Sequence, residues 1–360
     1  MRFHYIIGIL LILSGCGDNS QLDHPASNSD NIEENIPEEL IVEYAENFQL
    51  QRIDQGYLIE IINPNTGKIE KSFKVRNDEP KRIISLTATL NGMLSILNST
   101  ELIVGISDIN YIHSPEIRKR FKQGKITEYG DETTYSIEKT ISSQANTILY
   151  SGFGDEFPNH KKLEKIGFLI IPIYDWREND PLGKAEWIKL VGILTGKEQE
   201  AIALFENVKA QYRETQNLVR NTNSDPTVIS GNLIGDIWYA PAGDSYMAKM
   251  ISDAGGIYKY KDIQGTGSVE RSIEQILKDN HETDIWINPG LGTKRQIGKM
   301  NPHARHLKAY NNLYCYSTNM NLFWERSAAE PHLVLSDLIH IFHPEIAGAN
   351  ELFFYEKITE

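Results

Sequence analysis

Short apolar runs with strand character alternate with helix-forming segments along most of this chain, and that alternation limits the fold more than any other feature. Arg82-Ile83-Ile84-Ser85-Leu86 runs into a segment where Met93, Leu94, Ile96 and Leu97 recur at helical spacing, with Thr87 or Thr89 as N-cap. A second strand follows at Leu102-Ile103-Val104-Gly105-Ile106. Strand, helix, strand of this kind begins a parallel layer covered by helices. The pattern repeats: helix Ser136–Ser142, strand Thr147–Tyr150, helix His160–Gly167, strand Phe168–Ile173. It returns further on with strands at Thr227–Asn232, Ile285–Ile287 and Leu313–Tyr316. The helices of this second set are Ser245–Ala254, closed by Gly255-Gly256, then Ser272–Lys278, and Pro331–Phe342 stopping before Pro344.

Between the two sets lies a long helical stretch. Trp187, Leu190, Val191 and Leu194 sit at i, i+3, i+4 and i+7, Thr195-Gly196 interrupts, and Ala201, Leu204, Phe205, Val208 and Tyr212 resume the stripe from Glu198 to near Arg220. That second helix would span about 35 Å, long for one lobe and suited to a strut between two. The expected fold is α/β: two Rossmann-like α/β lobes joined by one long backbone helix. A small N-terminal β-hairpin addition is expected at 56–75, turning at Asn65-Thr66-Gly67. The boundaries read as hairpin region 40–78, first lobe 79–184, helical connector 185–224, and second lobe with final helix 225–360.

The first 16 residues differ from the rest. Arg2 precedes the apolar stretch Ile6–Leu13, which is too short to span a membrane, and Leu13-Ser14-Gly15-Cys16 resembles the bacterial lipobox. Residues 1–16 are therefore expected to be a lipoprotein signal peptide, with Cys16 the lipidation site. Residues 17–39 are polar, acidic and poor in apolar side chains, as befits a flexible tether. The other cysteine, Cys315, then lacks a disulfide partner and reads as a small buried residue in a strand. With 36 Lys and Arg against 49 Asp and Glu, the net charge of −13 argues against a nucleic-acid partner.

Six motifs occur in a telling order. They are Ile83-Ile84-Ser85-Leu86 before a helix; Ile103-Val104-Gly105-Ile106-Ser107; Ser136-Ile137-Glu138; Asp253-Ala254-Gly255-Gly256; Ser272-Ile273-Glu274-Gln275-Ile276 ahead of Asp284-Ile285-Trp286-Ile287; and Trp324-Glu325-Arg326 leading into the last helix. Together, from about 80 to 345, they resemble the helical-backbone (class III) substrate-binding proteins of ABC importers, the iron-siderophore, haem and cobalamin group. The hairpin at 56–75 lies outside the usual pattern; it and Pro181–Trp187 resemble lipoprotein members of that group. The resemblance implies a ligand held between the lobes, modest closure about a rigid helix, and an acidic residue on each lobe that pairs with permease arginines. By motif position those are Glu138 and Glu274. Carboxylates in a first helical turn also complement the helix dipole, so both roles stand open at this level.

Ligand-binding residues are expected at the C-terminal ends of the strands, where an open α/β sheet leaves a crevice. That rule selects Thr87, Thr89, Tyr129, Phe153, Trp176 and Arg177 in the first lobe, and Trp238, Tyr239, Thr266, Asn321, Phe323 and Trp324 in the second. Aromatic walls with a few polar groups suit large flat chelates or macrocycles, and Arg177 suits a carboxylate or an anionic catecholate. Each aromatic has core packing as its plainer role, and Glu325-Arg326 has helix capping or an ion pair.

Competing readings are weaker. His303/His306 and His340/His343 are spaced like zinc ligands, but the latter pair sits at a helix end, where the dipole favours histidine. The loop Thr87-Ala88-Thr89-Leu90-Asn91 carries no histidine for a free metal ion. No nucleophile elbow or phosphate loop is present, and Gly290-Leu291-Gly292-Thr293 lacks the third glycine of a dinucleotide fingerprint, leaving a surface-anchored hydrolase as the enzymatic alternative. The expectation is a non-enzymatic, monomeric solute-binding lipoprotein of the cell envelope, facing the periplasm or the cell surface. It would hold no permanent cofactor, capture an iron chelate (ferric siderophore or haem) and deliver it to an ABC permease and its ATPase. Cobalamin is the alternative ligand.

Overall fold

Residues 41–47 lead into an antiparallel meander of β1 (Phe48–Ile53), β2 (Gly56–Asn63) and β3 (Lys68–Arg76). The β2–β3 turn is where the sequence places it: Asn63 Oδ1 accepts from Asn65 N at 2.9 Å, and Gly67 takes φ +65°. Strand β1 was not foreseen; it pairs along its whole length, from Phe48 opposite Ile61 to Ile53 opposite Gly56. Phe48, Tyr57, Ile59, Ile61 and Val75 turn one face of the meander into the core. The structure, a computed structural model, describes residues 41–76, 81–130, 135–153, 157–220, 222, 224–235, 237–300, 302–316, 322–347 and 351–360.

The first lobe runs β4 (Ile83–Ser85), α1 (Ala88–Ile96), β5 (Ile103–Ile106), α2 (Pro115–Lys122), β6 (Thr127–Glu128), α3 (Ile137–Ser142), β7 (Thr147–Ser151), α4 (His160–Lys165) and β8 (Leu169–Ile173). Its five strands are all parallel, in the order β6-β5-β4-β7-β8. Successive residues point to opposite faces, and both faces are covered. Ile83, Leu149 and Ile171 enter the main core, while Ile84, Ile148 and Ile170 enter a smaller one with Tyr129 and Phe157. Burial on both faces is why these strands read as continuous apolar runs.

The crossing between lobes uses two helices, α5 (Pro181–Thr195) and α6 (Glu198–Asn217). Helix α5 begins upstream of the expected connector start at 185, because Asp180 caps it by accepting from Leu182 N at 2.8 Å. Gly196, at φ +70°, closes it and sends the chain back along its side as α6. Gly192 makes the close approach possible, since a Cβ there would lie 2.5 Å from that of Ala201. Helix α6 is the longest described, about 30 Å, and ends three residues short of the expected Arg220. Every residue from Pro181 to Leu194 is buried, because α5 packs against α1 on the first lobe and against α7 and α11 on the second.

The second lobe contains β9 (Thr227–Ser230), β10 (Asn232–Ile234), β11 (Ile237–Pro241), α7 (Tyr246–Asp253), β12 (Ile257–Tyr258), β13 (Ser268–Ser272), α8 (Ile273–Asn280), β14 (Ile285–Ile287), α9 (Lys294–Met300), β15 (Leu313–Tyr316), α10 (Phe323–Arg326), α11 (Pro331–Phe342) and β16 (Tyr355–Lys357). Its main sheet has the order β12-β9-β14-β15-β16, parallel except for β16 at the edge. A small antiparallel sheet, β10-β11-β13, was not foreseen. Cys315 is buried in β15. No helix among the described residues is long and apolar enough to cross a membrane.

Charges buried on α5 and at Glu178 just before it explain how the N-terminal segment is fixed. The Glu186 carboxylate accepts from the backbone N–H groups of Glu43, Tyr44 and Ala45 at 2.8–2.9 Å and from Lys189 Nζ at 2.6 Å. Lys189 also donates to the Ile41 carbonyl. Glu178 accepts from Glu46 N at 2.8 Å, Asn47 N at 3.2 Å and Trp187 Nε1 at 2.9 Å. Trp187 in turn packs on Phe48, ring centroids 4.6 Å apart. Residues 41–48 are thus strapped onto the connector, and the motif Pro181–Trp187 is the surface that receives them.

Candidate functional site

In each lobe the strand order reverses once, between β4 and β7 and between β9 and β14, and crevices open at the C-terminal strand ends beside such points. In the first lobe Thr87 caps α1, accepting from Leu90 N at 3.2 Å, and Thr89 faces a cavity. Phe153, after β7, is 75% exposed. Its ring lies 4.7 Å from that of Trp176, after β8, and the Arg177 guanidinium stands 5.3 Å from the centre of the Trp176 ring. Arg177 Nε then donates to Thr266 Oγ1 of the second lobe at 3.0 Å. Three residues expected at the cleft therefore form a continuous stack, and a fourth ties it to the opposite lobe.

Two of the expected ligand residues are corrected by their surroundings. Trp238 is fully buried: it lies inside β11, packs on Trp286 at 4.8 Å and donates from Nε1 to the Ser230 carbonyl. The chain leaves β9 through Gly231, at φ +109°, straight into the β10–β11 hairpin, which carries Trp238 into the core. Tyr129 is also core, stacked on Tyr135 and lying against Gly105, where a Cβ would meet its ring. Tyr239 stays half-buried within β11, opposite Asn232 and Glu270. Asn321 and Cys16 lie outside the described residues.

Phe323 is buried face to face on Tyr316, 4.1 Å apart, while Trp324 is 47% exposed with its edge towards Tyr316. Large exposed apolar side chains gather on strand-exit loops: Tyr111 after β5, Phe153 after β7, Ile234 at the hairpin beyond β9, Leu291 after β14 and Trp324 after β15. Of these five, Tyr111, Phe153 and Trp324 are aromatic.

Below the rim, the lobes and connector enclose a narrow cavity of about 20 Å³. Thr89 lines it from the first lobe, Pro181 and Lys184 from α5, and Tyr246, Met247, Met250, Trp324 and Ser327 from the second. It has room for one water or the tip of one functional group. Lys184, Tyr246 and the two methionines were not foreseen. Only a lysine among apolar neighbours in the first turn of α5 hinted at a charge taken into the interior.

Glu325 has the capping role considered for it, but across lobes. Its carboxylate accepts from His113 N at 3.0 Å and Ser114 N at 2.9 Å at the start of α2, and burial pushes its pKa up. Arg326 instead pairs with Glu330 of its own lobe. Among the described residues no three His, Cys, Asp or Glu side chains gather as a metal ion would need. His340 Nδ1 faces the Ser336 carbonyl at 2.7 Å, and His343 Nε2 faces that of Ala254 at 3.0 Å.

Glu138 and Glu274 are exposed, each in the first turn of a helix capped by the preceding serine: Ser136 accepts from Lys139 N, and Ser272 from Gln275 N. Each helix feeds a parallel strand, β7 or β14, and so starts at the cleft edge of its own sheet. The Ser272 hydroxyl holds the Glu274 carboxyl below its usual pKa.

Two largely parallel sheets and a helical crossing meet a sequence match: the family model for periplasmic binding proteins covers residues 83–321. The chain belongs to the periplasmic binding protein family. An uncharacterized lipoprotein of Methanocaldococcus jannaschii is 27% identical to this periplasmic binding protein over 98% of the chain and 95% of its own length. Among solved structures, a periplasmic haem-binding protein from Pseudomonas aeruginosa matches with TM-score 0.62 and 15% identity, covering 78% of this chain and 99% of that one. An ABC-type Fe3+-hydroxamate transport protein from Saccharomonospora viridis matches with TM-score 0.56 and 18% identity, covering 75% and 96%. At these identities the structural matches establish the two-lobed fold. The meander β1–β3 precedes the matched span.

Proposed function

We propose that this periplasmic binding protein captures an iron chelate, a ferric siderophore or haem, in the cleft and hands it unchanged to an ABC permease driven by its ATPase. The observation that carries the reading is the stack Phe153–Trp176–Arg177 bridged to Thr266 of the second lobe, with Trp324 exposed after β15. Broad aromatic surface with few polar groups favours a large, flat guest, and rings of this kind add directional stacking to area burial. The haem-binding and Fe3+-hydroxamate neighbours support that ligand class. Cobalamin is the second reading, since a corrin needs the same walls. The reading includes a lipid on Cys16 that holds the monomeric protein to a membrane of the cell envelope, and the lipoprotein relative supports it. Glu138 and Glu274 would meet arginines of the permease, where bidentate pairs set position more than affinity.

Absorbance titration and native mass spectrometry with haem, several ferric siderophores and cobalamin test the assignment. One of them is expected to bind one to one, below micromolar and without turnover. Failure of all of them to do so would remove it.

A further inference from the structure

Residues 285–324 contain no Asp or Glu and five Lys or Arg, in a chain of net charge −13. Four of the five gather on one surface of the second lobe, on α9 and the short helical turn Pro302–His306 that follows it. Ile297 and Gly298 turn one side of α9 into the lobe and leave Arg295 and Lys299 exposed, one turn apart. Arg305 lies beside them because residue 298 is glycine: a Cβ there would be 2.7 Å from Arg305 Nε. Tyr310 donates to the Lys294 carbonyl at 2.8 Å, and the Lys294 ammonium stands 5.1 Å from the centre of the Tyr310 ring and 3.2 Å from Asn311 Oδ1. Lys294, Arg295, Arg305 and Tyr310 thus line one open groove of about 650 Å³, whose wall has Glu360 as its one carboxylate among the described residues. Among those residues Lys294, Arg295, Lys299 and Arg305 form no ion pair, whereas the fifth cation, Lys308, is held by Asp284 at 2.7 Å. Lys294 N also donates to the Thr359 carbonyl, and Asn311 stands just ahead of β15, so the groove lies at the opposite end of the sheet from the strand exits.

Ammonium and guanidinium groups only donate, so whatever meets them presents acceptor atoms and negative charge. A groove this open encloses no small anion; four cations spread along it suit an array of anions displayed on a surface. Clusters of about four to eight Lys and Arg meet anionic lipid headgroups in this way. Met300, 60% exposed at the end of α9, adds an apolar side chain able to enter the headgroup layer. On the reading that Cys16 carries a lipid, residues 17–40 keep the body within about 80 Å of a bilayer, so such a surface stays in reach. We propose that the α9 surface rests on the phosphate headgroups of an anionic bilayer. The strand exits of the second lobe then point away from the membrane while the carrier awaits its guest.

The test is co-sedimentation with vesicles, using the chain from residue 17 so that no acyl group contributes. Vesicles of phosphatidylcholine with about one third phosphatidylglycerol are compared with pure phosphatidylcholine. The protein as a whole is repelled by negative vesicles, so only a local cationic surface brings it down with them. Binding to the anionic vesicles alone is expected, and it should weaken as NaCl is raised. Each cation removed should cost about fivefold, so R295Q/K299Q/R305Q should bind about a hundredfold more weakly. K161Q/K162Q/K165Q, which removes as much charge from exposed positions around α4, should bind as the wild type does. Thermal melts show that each variant folds. Equal binding to both vesicles, equal loss in the two folded variants, or full displacement by free glycerol phosphate against NaCl of matched ionic strength would overturn the inference. None of these outcomes touches the carrier reading, which haem, siderophore and cobalamin titration of the same preparations tests separately.

Discussion

Glu178 shows how costly the strap is to hold. Its carboxylate is fully buried, and burial pushes its pKa up to about 7 despite the donors from Glu46, Asn47 and Trp187. The folded chain therefore holds this proton more tightly than the unfolded chain does. The resulting stabilisation is complete below about pH 4.5 and is lost as pH rises through about 7, for a total of about 3 kcal/mol. Denaturant titrations from pH 5 to 8 should show the unfolding free energy of the wild type falling relative to Glu178→Gln; parallel curves would contradict this. The tryptophans and phenylalanines separate by the same kind of measurement. Phe153→Ala, at an exposed ring, is expected to leave stability within about 0.5 kcal/mol and to weaken ligand binding about tenfold. Trp238→Ala should cost about 3–5 kcal/mol of stability, since it empties a core site. Melting curves and titrations on both variants decide it. Residue type alone did not reveal this difference. The signal was present in Asn232-Leu233-Ile234-Gly235-Asp236-Ile237-Trp238, two short apolar runs about a Gly-Asp pair, which is hairpin chemistry that puts the tryptophan inside a strand.

Elements were legible where periodicity is local. The strands of the first lobe, the turn at Gly67 and the helix behind Ser245 all follow from short-range pattern, because both faces of a parallel sheet demand apolar residues and caps demand hydroxyls. Strand β1 pairs with its chain neighbour β2, and Phe48, Gln49, Leu50 and Gln51 alternate apolar and polar, so that signal was local and was passed over; β13 instead pairs with β11 from beyond α7, and its polar run Ser268–Ser272 shows no such pattern. Helix α5 was legible as a helix but not as a wholly buried one. Beyond the Glu186–Lys189 pair, its three charges find partners in residues 41–45, in Asp175 and in the rings of Tyr246 and Phe205. The contact of α1 with α10 was equally hidden, although it is very close: a Cβ on Gly92 would lie 1.5 Å from the Glu325 carbonyl oxygen. Gly92→Ala must push these elements apart and disturb the cap that Glu325 places on α2. A loss of about 1–3 kcal/mol is expected, with faster hydrogen exchange at the amides of His113 and Ser114. Unchanged exchange at those two amides would show that the cap is independent of the approach.

For the whole molecule, the two lobes repeat one plan down to the Ser-x-Glu helix starts at the edge of each sheet. If those edges meet the permease, reversing the charge at Glu138 and Glu274 should abolish uptake by cells and leave affinity for the purified ligand intact. A fall in affinity would place these residues in the cleft instead. Residues 41–47 matter at this scale too. Their grip is on Glu178 and on the connector helices α5 and α6, which belong to neither half. A pull applied at residue 41 is thus delivered to the pivot. If Cys16 carries the lipid proposed above, tension from the membrane would reach the connector before either sheet.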